Sequence, residues 1–468
     1  MSADQREQVR ANAKYLREVR PIDPEEIFEY VDGRPHPAVV RETLRDEAPD
    51  LGLVERADGT FVPVADDPIA VEFDDVSAFP DEHARDLENL LVEAYGPGWP
   101  DGESGDGLRD RIRRFKESYF AGQTVEYDRD TALAYAIYHL ADYYAVAQYV
   151  LADLARDGLL SHHLRVLDVG AGVGGPALGL ADLLPDDALC EYHAIEPSAA
   201  TEILDSLLEA TGRNVHPTIH RTTAEDFEPE GEYDLILFAN SLSELDDPAG
   251  VARRYFDALA PAGSLVGIAP ADRETSIGLR QVERTLCDSG PATCYGPAVR
   301  LWPGHAPTDR GWSFDVKPDF AVPGFQQRLA EAVEDPDDDP EAFVNVDVQF
   351  SHTVLRREGP RRTEFTPNPD RTAKMAESEE HVSNRVDLVA AKLSHSLSEG
   401  NPLFKVSDGS ESADHYAVVT RETGLNRALT TAGYGDLLAF ENVLVLWNDD
   451  EDAYNLVVDD ETIVDRLA

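Results

Sequence analysis

Cysteine, methionine and long apolar runs are scarce in this chain of 468 residues. Its three cysteines, Cys190, Cys287 and Cys294, have the spacing of neither a zinc site nor a disulfide framework, so we predict no metal. No run of about 18 apolar residues occurs, which argues against a membrane-spanning helix. The N-terminus also lacks the apolar region of a secretory signal. We therefore expect a cytoplasmic protein without a membrane partner.

Positive charge is also in short supply. Aspartate and glutamate number 91 against 41 lysines and arginines, which gives a formal net charge of -50. The acids are spread along the chain, and 42% hydrophobic residues can supply a core, so the composition does not indicate disorder. At molar salt the Debye length falls to about 3 Å and screens the self-repulsion. The composition therefore predicts a salt-adapted, halophilic cytosolic protein and says little about its partner.

A glycine-rich segment near the middle of the chain has a recognisable order. Val166–Val169 is an apolar run typical of a buried strand, and Gly170, Gly172 and Gly174 then predict a tight turn. Pro176 suits the first turn of a helix, where its missing N–H has no partner. Glu196 ends the next predicted strand. A strand, a glycine turn, a helix and then an acid is how a Rossmann-like sheet holds an adenosine-containing cofactor.

The choice of cofactor rests on Asp168. The spacing Gly170-x-Gly172-x-x-Gly175 also fits a dinucleotide, but a carboxylate beside the turn would repel pyrophosphate. S-adenosylmethionine (SAM) carries a sulfonium and an ammonium group instead, which an acid favours. The Asp-x-Gly-x-Gly-x-Gly pattern resembles motif I of class I SAM-dependent methyltransferases. We predict SAM, with a dinucleotide or a cofactor-free relic of the fold as alternatives.

The segments that follow fit an α/β, Rossmann-like methyltransferase sheet. Predicted strands cover 190–195, 216–222, 233–240 and 264–269, and 343–355 is predicted to be a late antiparallel edge strand. Glu196 is placed to accept both ribose hydroxyls. Asp226, chosen over Glu225, is the predicted acceptor for the adenine amine.

Methyl transfer from a sulfonium needs in-line positioning more than acid–base chemistry. Asn240, Ser241 and Glu244 follow the fourth predicted strand, where they are predicted to hold the acceptor amine or hydroxyl as catalytic residues. The alternative is that Asn240 and Ser241 cap the next helix. An Asn/Asp-Pro-Pro-aromatic motif is absent here, which counts against adenine N6 chemistry.

The two ends of the chain predict accessory modules. Helical patterns at 24–30 and 37–46, then a hairpin at 53–64 with Asp58-Gly59 at its turn, indicate either a winged-helix-like module or a helical cap. Short β-type runs at 417–420, 443–447 and 455–458 indicate a small β-rich domain. An OB-like barrel is one fold of this kind, and it would suit single-stranded RNA. The predicted domains are 1–70 (helical, winged-helix-like), 71–160 (helical, leading into the catalytic domain), 161–358 (methyltransferase), 359–384 (linker) and 385–468 (β-rich).

Residues 101–120 combine a predicted glycine-rich loop, 101–107, with an amphipathic helix. Basic residues surround the apolar stripe of that helix: Arg109, Arg111, Arg113, Arg114 and Lys116. Such a run is either a solvated face or, in so acidic a chain, a contact to RNA phosphate. A long helical pattern follows at 131–160. Most of its tyrosines are predicted to be core residues, with one or two closing over the cofactor.

Four segments together resemble the mitochondrial-type small-ribosomal-subunit assembly methyltransferase family, as a haloarchaeal-like member. They are His139–Leu151, Leu167–Gly174, Asn240–Leu245 and Gly311–Phe314, and the resemblance covers roughly residues 108 to 357. It implies a class I methyltransferase domain acting on or with the small ribosomal subunit. Many members carry four cysteines suited to an iron–sulfur cluster; here Cys294 keeps one and Ser313 stands where another is usual, so the cluster is not expected.

The sequence therefore predicts a SAM-dependent methyltransferase acting on or with small-subunit ribosomal RNA, in ribosome assembly or translation, with no DNA partner. A non-catalytic, SAM-binding assembly factor and a small-molecule methyltransferase are the alternatives. An NAD-dependent oxidoreductase is disfavoured by Asp168.

Overall fold

A computed structural model describes residues 1–123, 125–297, 299–302, 305, 313–333, 339–357, 361–363 and 365–467. Their helices are α1 (Ala3–Leu16), α2 (Pro24–Ile27), α3 (Pro37–Leu51), α4 (Asp81–Tyr95), α5 (Gly102–Phe120), α6 (Arg129–Arg156), α7 (Gly175–Leu183), α8 (Ala200–Leu208), α9 (Pro248–Phe256), α10 (Arg273–Ser289), α11 (Gly324–Glu331) and α12 (Arg427–Thr431). Short 3₁₀ helices cover Phe28–Tyr30, Leu242–Glu244, Pro340–Phe343 and Met375–His381. Of the helices in these ranges, none is both long and apolar enough to cross a membrane.

The strands of the same residues are β1 (Leu53–Glu55), β2 (Phe61–Pro63), β3 (His163–Val169), β4 (Leu189–Ile195), β5 (Val215–His220), β6 (Tyr233–Ala239), β7 (Leu259–Pro270), β8 (Thr293–Gly296), β9 (Asp315–Lys317), β10 (Val348–Arg356), β11 (Arg385–Lys392), β12 (Leu403–Ser407), β13 (His415–Val419), β14 (Leu437–Asn448), β15 (Ala453–Val458) and β16 (Ile463–Arg466). The chain forms two compact units. One contains Met1–Ala239 and Pro318–Asp347, and the other contains Asn240–Lys317 and Val348–Ala468.

The first unit contains a parallel sheet of order β5-β4-β3-β6. The chain lays down β3, β4 and β5 in one direction and then returns to the other side of β3 with β6. Such a reversal of strand order is the topological switch point where α/β proteins bind ligands, beyond the carboxyl ends of the strands. The predicted strands at 190–195, 216–222 and 233–240 are confirmed as β4, β5 and β6. The last of them is the nearly continuous apolar run that is typical of a central parallel strand.

The N-terminal part of this unit is helical, as predicted. Helices α1, α2 and α3 pack their apolar faces on the two-stranded hairpin β1–β2 around a shared core. The hairpin turn contains Gly59 at φ +82°, and the backbone N–H of Thr60 donates to Asp58. The Asp58-Gly59 pattern thus located the turn correctly, whereas α1 had not been anticipated.

The glycine-rich loop expected at 101–107 is wrong, because α5 already begins at Gly102. Three glycines lower the helix propensity of this segment. A Cβ at Gly105, however, would lie 1.9 Å from the carbonyl oxygen of Pro100, so close packing requires glycine there. Tertiary packing therefore overrides the local propensity.

In the second unit, β10 pairs antiparallel with β7, as the sequence predicted. Its expected position at the sheet edge is wrong, because β8 and β9 also pair with β10. These two strands have four and three residues, too few for any periodic pattern to reveal them.

The C-terminal part of the second unit is a closed five-stranded barrel. Its strands follow the order β11-β12-β13-β15-β14, and β11 pairs with β14 to close the ring. β13 and β15 are parallel, the other neighbours in the ring are antiparallel, and α12 lies between β13 and β14 in sequence. The predicted β-rich domain is therefore confirmed. Its strands share a core of buried apolar side chains, among them Leu388, Phe404, Ala417, Phe440 and Leu456.

Candidate functional site

The glycine turn after β3 is shaped by three left-handed residues. Gly170, Gly172 and Gly174 have φ values of +77°, +55° and +96°, which residues other than glycine adopt only at a cost in free energy. The N–H of Gly170 donates to the carbonyl of Ile195 at 2.8 Å, and this bond ties the turn to the end of β4. A Cβ at Gly172 would meet no atom within 4 Å, so the backbone there borders open space.

The end of the turn is fixed by close packing instead. A Cβ at Gly174 would lie 2.7 Å from Leu204 Cδ1 on α8. A Cβ at Gly175 would lie 2.9 Å from both the carbonyl oxygen of Leu140 and the Cβ of Tyr143, which belong to α6. The glycines therefore have two functions: an open backbone surface at Gly172, and tight contact of α7 with its neighbours.

Glu196 lies directly beyond β4 and has an exposed fraction of 8%. One carboxylate oxygen accepts the N–H of Gly172 at 3.0 Å, and the other accepts the N–H of Ser198 at 2.9 Å. A carboxylate has about four lone-pair sites, so two remain for the two hydroxyls of a ribose. The predicted role of Glu196 is compatible with this geometry.

Asp168 is more deeply buried than the sequence suggested. It lies within β3 with no exposed surface, and Oδ2 accepts a hydrogen bond from the hydroxyl of Tyr192. Oδ1 is buried without a partner among the described residues. Burial raises the pKa of Asp168 to about 7; the hydrogen bond from Tyr192 opposes this shift and the charge of Glu196 adds to it. An unpaired buried carboxyl oxygen is a fitting partner for an ammonium group such as that of SAM.

Asp226 lies in the exposed loop that follows β5. Its backbone N–H donates to Thr223 Oγ1 at 3.2 Å. The role assigned to its carboxylate, acceptance of the adenine amine, stays a prediction.

Comparison with protein families identifies the central part of the chain. Residues 167–265 match a model described as a methyltransferase domain. This segment contains the glycine turn, Glu196 and strands β4 to β6. It is a class I, SAM-dependent methyltransferase domain. The residues that would hold SAM are Asp168, the Gly170–Gly174 turn and Glu196, and bound SAM would supply an electrophilic methyl group.

The regions flanking the methyltransferase domain match two further models. Residues 6–57 match the N-terminal domain, and residues 376–467 the C-terminal domain, of a domain of unknown function (DUF8157). Comparison with curated proteins found no match. The resemblance to the ribosomal assembly methyltransferases gains no support from these matches.

Solved structures similar to the chain are methyltransferases. The plantazolicin methyltransferase BpumL with a triazolic desmethylPZN analog and SAH is 13% identical and covers 54% of this chain and 99% of its own, at a TM-score of 0.31. Magnesium protoporphyrin IX methyltransferase (ChlM) from Synechocystis PCC 6803 is 14% identical, with coverages of 58% and 97% and a TM-score of 0.28. A putative O-methyltransferase from Klebsiella pneumoniae is 13% identical, with coverages of 58% and 96% and a TM-score of 0.28. No statement about substrate follows from similarities this low.

The predicted catalytic residues belong to the second unit, at its beginning. Asn240 follows directly on β6 and has a left-handed backbone at φ +61°, while its N–H donates to Ile268 at 2.9 Å. Ser241 precedes the 3₁₀ helix that contains Glu244, but its side chain makes no capping bond to that helix. The alternative of Ser241 as a helix cap is therefore wrong. A strained non-glycine residue is common at functional sites, and the role of these three residues stays a prediction.

The basic cluster of α5 is held by partners within the first unit. Arg109 is only 2% exposed and donates to the carbonyls of Pro100 and Leu329. Arg111 pairs with Asp130, Arg113 pairs with Asp110, and Lys116 donates to Tyr138 and to the carbonyl of Ala342. Of the five, only Arg114 is exposed. The cluster therefore stabilises the fold and offers little free charge to RNA phosphate.

The three cysteines belong to two different units of the chain. Cys190 is buried in β4 of the first unit, whereas Cys287 and Cys294 lie in the second. Ser313 is buried and bonds to the hydroxyl of Tyr434 at 3.0 Å. Trp312, which belongs to the Gly311–Phe314 resemblance segment, lies outside the described residues.

One polar group of the first unit was missed by the sequence analysis. It joins His139 and Asp142, which lie one helical turn apart on α6, to Asn345, which follows the 3₁₀ helix Pro340–Phe343. The i, i+3 spacing of His139 and Asp142 was available as a signal. Asn345 was not, because 203 residues separate it from Asp142.

Proposed function

We propose that this chain is a SAM-dependent methyltransferase whose acceptor is a small molecule. The proposal of SAM as the methyl donor rests on two acidic residues that lie beside one open glycine turn. Asp168 offers a buried, unpaired oxygen, and Glu196 is held against the N–H of Gly172 with lone pairs to spare. The chain's contribution would be to bind the ammonium and ribose ends and so to orient the methyl group toward the acceptor.

The distribution of positive charge favours a small acceptor over RNA. The arginines of α5 are engaged within the fold, as described above. In residues 376–467, every lysine and arginine has an acidic or carbonyl partner: Arg385–Asp459, Lys405–Asp414, Arg421–Asp460, Arg427–Glu422, Arg466–Asp436, and Lys392 with the carbonyl of Ala432. Arg421 and Arg427 are 68% and 71% exposed, so their pairs hold them only weakly. RNA binding depends on cations that are free to neutralise phosphates.

The test is calorimetric titration of SAM into the full-length protein in molar KCl. We expect micromolar binding by the wild type that is lost in Asp168→Ala and Glu196→Ala. Asp205→Ala removes an exposed acid of α8 and serves as the matched control, with unchanged affinity. Folded wild-type protein that fails to bind SAM would contradict the proposal.

A second candidate is action on the small ribosomal subunit. It is favoured by one observation: the closed barrel of order β11-β12-β13-β15-β14, since five-stranded OB-type barrels bind oligonucleotides. Tritiated methyl groups from SAM should then enter the RNA of small subunits isolated from cells that lack this protein. Absence of label in the RNA, with intact SAM binding, would favour the small acceptor.

A further inference from the structure

Helix α6 is buried on almost every side. Between Ala132 and Ala152, the residues that keep some exposed surface are Tyr135, Tyr138, His139 and Tyr143. Tyr138, His139 and Tyr143 follow Tyr135 by three, four and eight positions, so all four lie on one face of the helix. The one accessible stripe of a buried helix thus consists of three phenol rings and an imidazole, and we call it the tyrosine stripe.

The tyrosine stripe borders the SAM-binding turn. The Cβ of Tyr143 packs against Gly175 at the start of α7, 2.9 Å from where a Cβ of residue 175 would lie. At the other end, the ring of Tyr135 lies 5.2 Å from that of Tyr127, whose carbonyl accepts the N–H of Ala199 at 3.3 Å. Ala199 is three residues beyond Glu196. The stripe therefore packs on the residue that follows the glycine turn and reaches the loop after Glu196 through Tyr127.

The imidazole in this stripe is held in a defined orientation. Nδ1 of His139 lies 3.1 Å from Oδ2 of Asp142, and the same oxygen accepts from Nδ2 of Asn345 at 2.8 Å. Asn345 is itself held, because it also donates to the carbonyl of Tyr138 at 3.1 Å. Burial raises the pKa of Asp142, and His139 and Asn345 oppose that shift. A carboxylate at Nδ1 selects the tautomer with the proton on Nδ1 and the lone pair on Nε2.

Nε2 has no hydrogen-bond partner in the part of the chain that the structure describes. Aromatic rings surround the imidazole: Tyr143 stacks on it at 4.8 Å and 18°, Tyr135 and Tyr138 lie 4.8 Å away, and Phe115 lies 5.8 Å away. The ammonium of Lys116 lies 4.6 Å from the centre of the Tyr138 ring and donates to the Tyr138 hydroxyl at 3.0 Å. A planar aromatic guest fits such surroundings better than an aliphatic or phosphate-bearing one.

We propose that the tyrosine stripe binds the methyl acceptor, that the acceptor is an aromatic hydroxyl compound, and that Nε2 of His139 takes the hydroxyl proton. Asp142 and Asn345 are positioning residues, since they hold the imidazole. SAM supplies the methyl group: an oxygen–carbon bond forms, the carbon–sulfur bond breaks, and its electron pair neutralises the sulfonium. The hydroxyl proton moves to Nε2 and then to solvent. This inference rests on the proposed function and names its substrate class.

The first experiment follows the imidazole signals of the full-length protein by NMR in molar KCl. His139→Asn assigns the His139 signal and keeps a donor toward Asp142, and His381→Asn is the matched control in the C-terminal region. Nitrogen shifts should show Nδ1 protonated and Nε2 free. Millimolar catechol or 4-methylphenol, added after saturation with S-adenosylhomocysteine (SAH), should shift the His139 signal and leave the His381 signal unchanged.

The second experiment measures tritiated methyl transfer from SAM to the same two phenols. His139→Asn should lose about 10²- to 10⁴-fold in kcat while its SAH affinity stays within about twofold of wild type. Tyr135→Leu should raise the KM for the phenol, which keeps the test valid if the His139 variant is unstable.

The outcomes separate the two proposals. Protein that binds neither SAM nor SAH contradicts the proposed function itself. Protein that binds SAH, but whose His139 signal ignores both phenols or shows the opposite tautomer, overturns this inference alone. Transfer to a phenol that survives in His139→Asn overturns the role of Nε2 and leaves the stripe as a binding site only.

Discussion

Replacing Asp168 by asparagine is expected to stabilise the fold while weakening SAM binding. The side chain is fully buried, and its pKa of about 7 compares with an ordinary value of 3.8. Because the folded state holds this proton more tightly than the unfolded chain does, the contribution of Asp168 to stability is greatest below about pH 4 and declines as the pH rises to about 7. Above about pH 7, the difference between the two pKa values lowers the free energy of unfolding by about 4 kcal/mol.

An asparagine has no charge and removes this penalty. Its oxygen can still accept from Tyr192, but its NH₂ group replaces the unpaired Oδ1 and lacks an acceptor, which costs about 1–2 kcal/mol. We therefore expect Asp168→Asn to raise the free energy of unfolding by about 2 kcal/mol at pH 8. At pH 5 the change should be close to zero, because protonating the carboxyl on folding costs only about 1.6 kcal/mol there, which the unpaired NH₂ group of asparagine cancels.

Urea unfolding in molar KCl, followed by circular dichroism at both pH values, measures the effect. Asp205→Asn is the matched control, since its carboxylate is exposed and its removal should leave the stability unchanged at both pH values. SAM affinity should fall about tenfold in Asp168→Asn alone, because a charge-assisted bond to the ammonium group is lost. An Asp168→Asn protein that is less stable than wild type, or equally stabilised at pH 5 and pH 8, would refute the reasoning.

Three further predictions concern the turn, the basic cluster and the barrel. Gly172→Ala should lower the free energy of unfolding by about 1–2 kcal/mol, because residue 172 has a left-handed backbone, and should weaken SAM binding in calorimetry. Gly174→Ala should lower the melting temperature more than Gly172→Ala does, because its methyl group would also overlap Leu204. Arg109→Met should destabilise by about 2–3 kcal/mol in urea, since buried carbonyls lose their donor, while Arg114→Met should change the stability by less than about 0.5 kcal/mol. Burial lowers the pKa of Lys392 to about 8 from 10.5, so its contribution to the free energy of unfolding is lost as the pH falls from about 10 to about 8. Lys392→Met should therefore raise the free energy of unfolding at pH 7. An equal increase at pH 10 would contradict this.

The strand positions of the methyltransferase domain could be predicted because few residue patterns satisfy a buried parallel strand. Val166–Val169 and Tyr233–Ala239 are apolar apart from one aspartate each, and the glycines between strand and helix are required by positive φ or by contact with α6 and α8. Asp168 was correctly placed beside the turn. Its complete burial could not be predicted, because that depends on Tyr192 in the neighbouring strand.

Other features depend on partners far away in the sequence. Arg109 was expected on a solvated or RNA-binding face, but the carbonyl of Leu329, 220 positions away, binds it. The tyrosines of α6 were expected mainly in the core, since aromatic residues at helical spacing are normally buried. Which of them face an opening is decided by the surrounding helices, and Asn345 completes the group around His139 from a remote loop.

The closure of the C-terminal ring has a consequence for behaviour at high concentration. Strand edges are templates for pairing with other chains, and a ring in which β11 pairs with β14 leaves few of them. Among the described strands of this ring and its extension, β16 pairs on one side only, has four residues, and contains Asp465 and Arg466. A short, charged edge is a poor template for strand addition. In molar salt, where charge repulsion no longer keeps molecules apart, this backbone arrangement would protect the domain from aggregation through its edges.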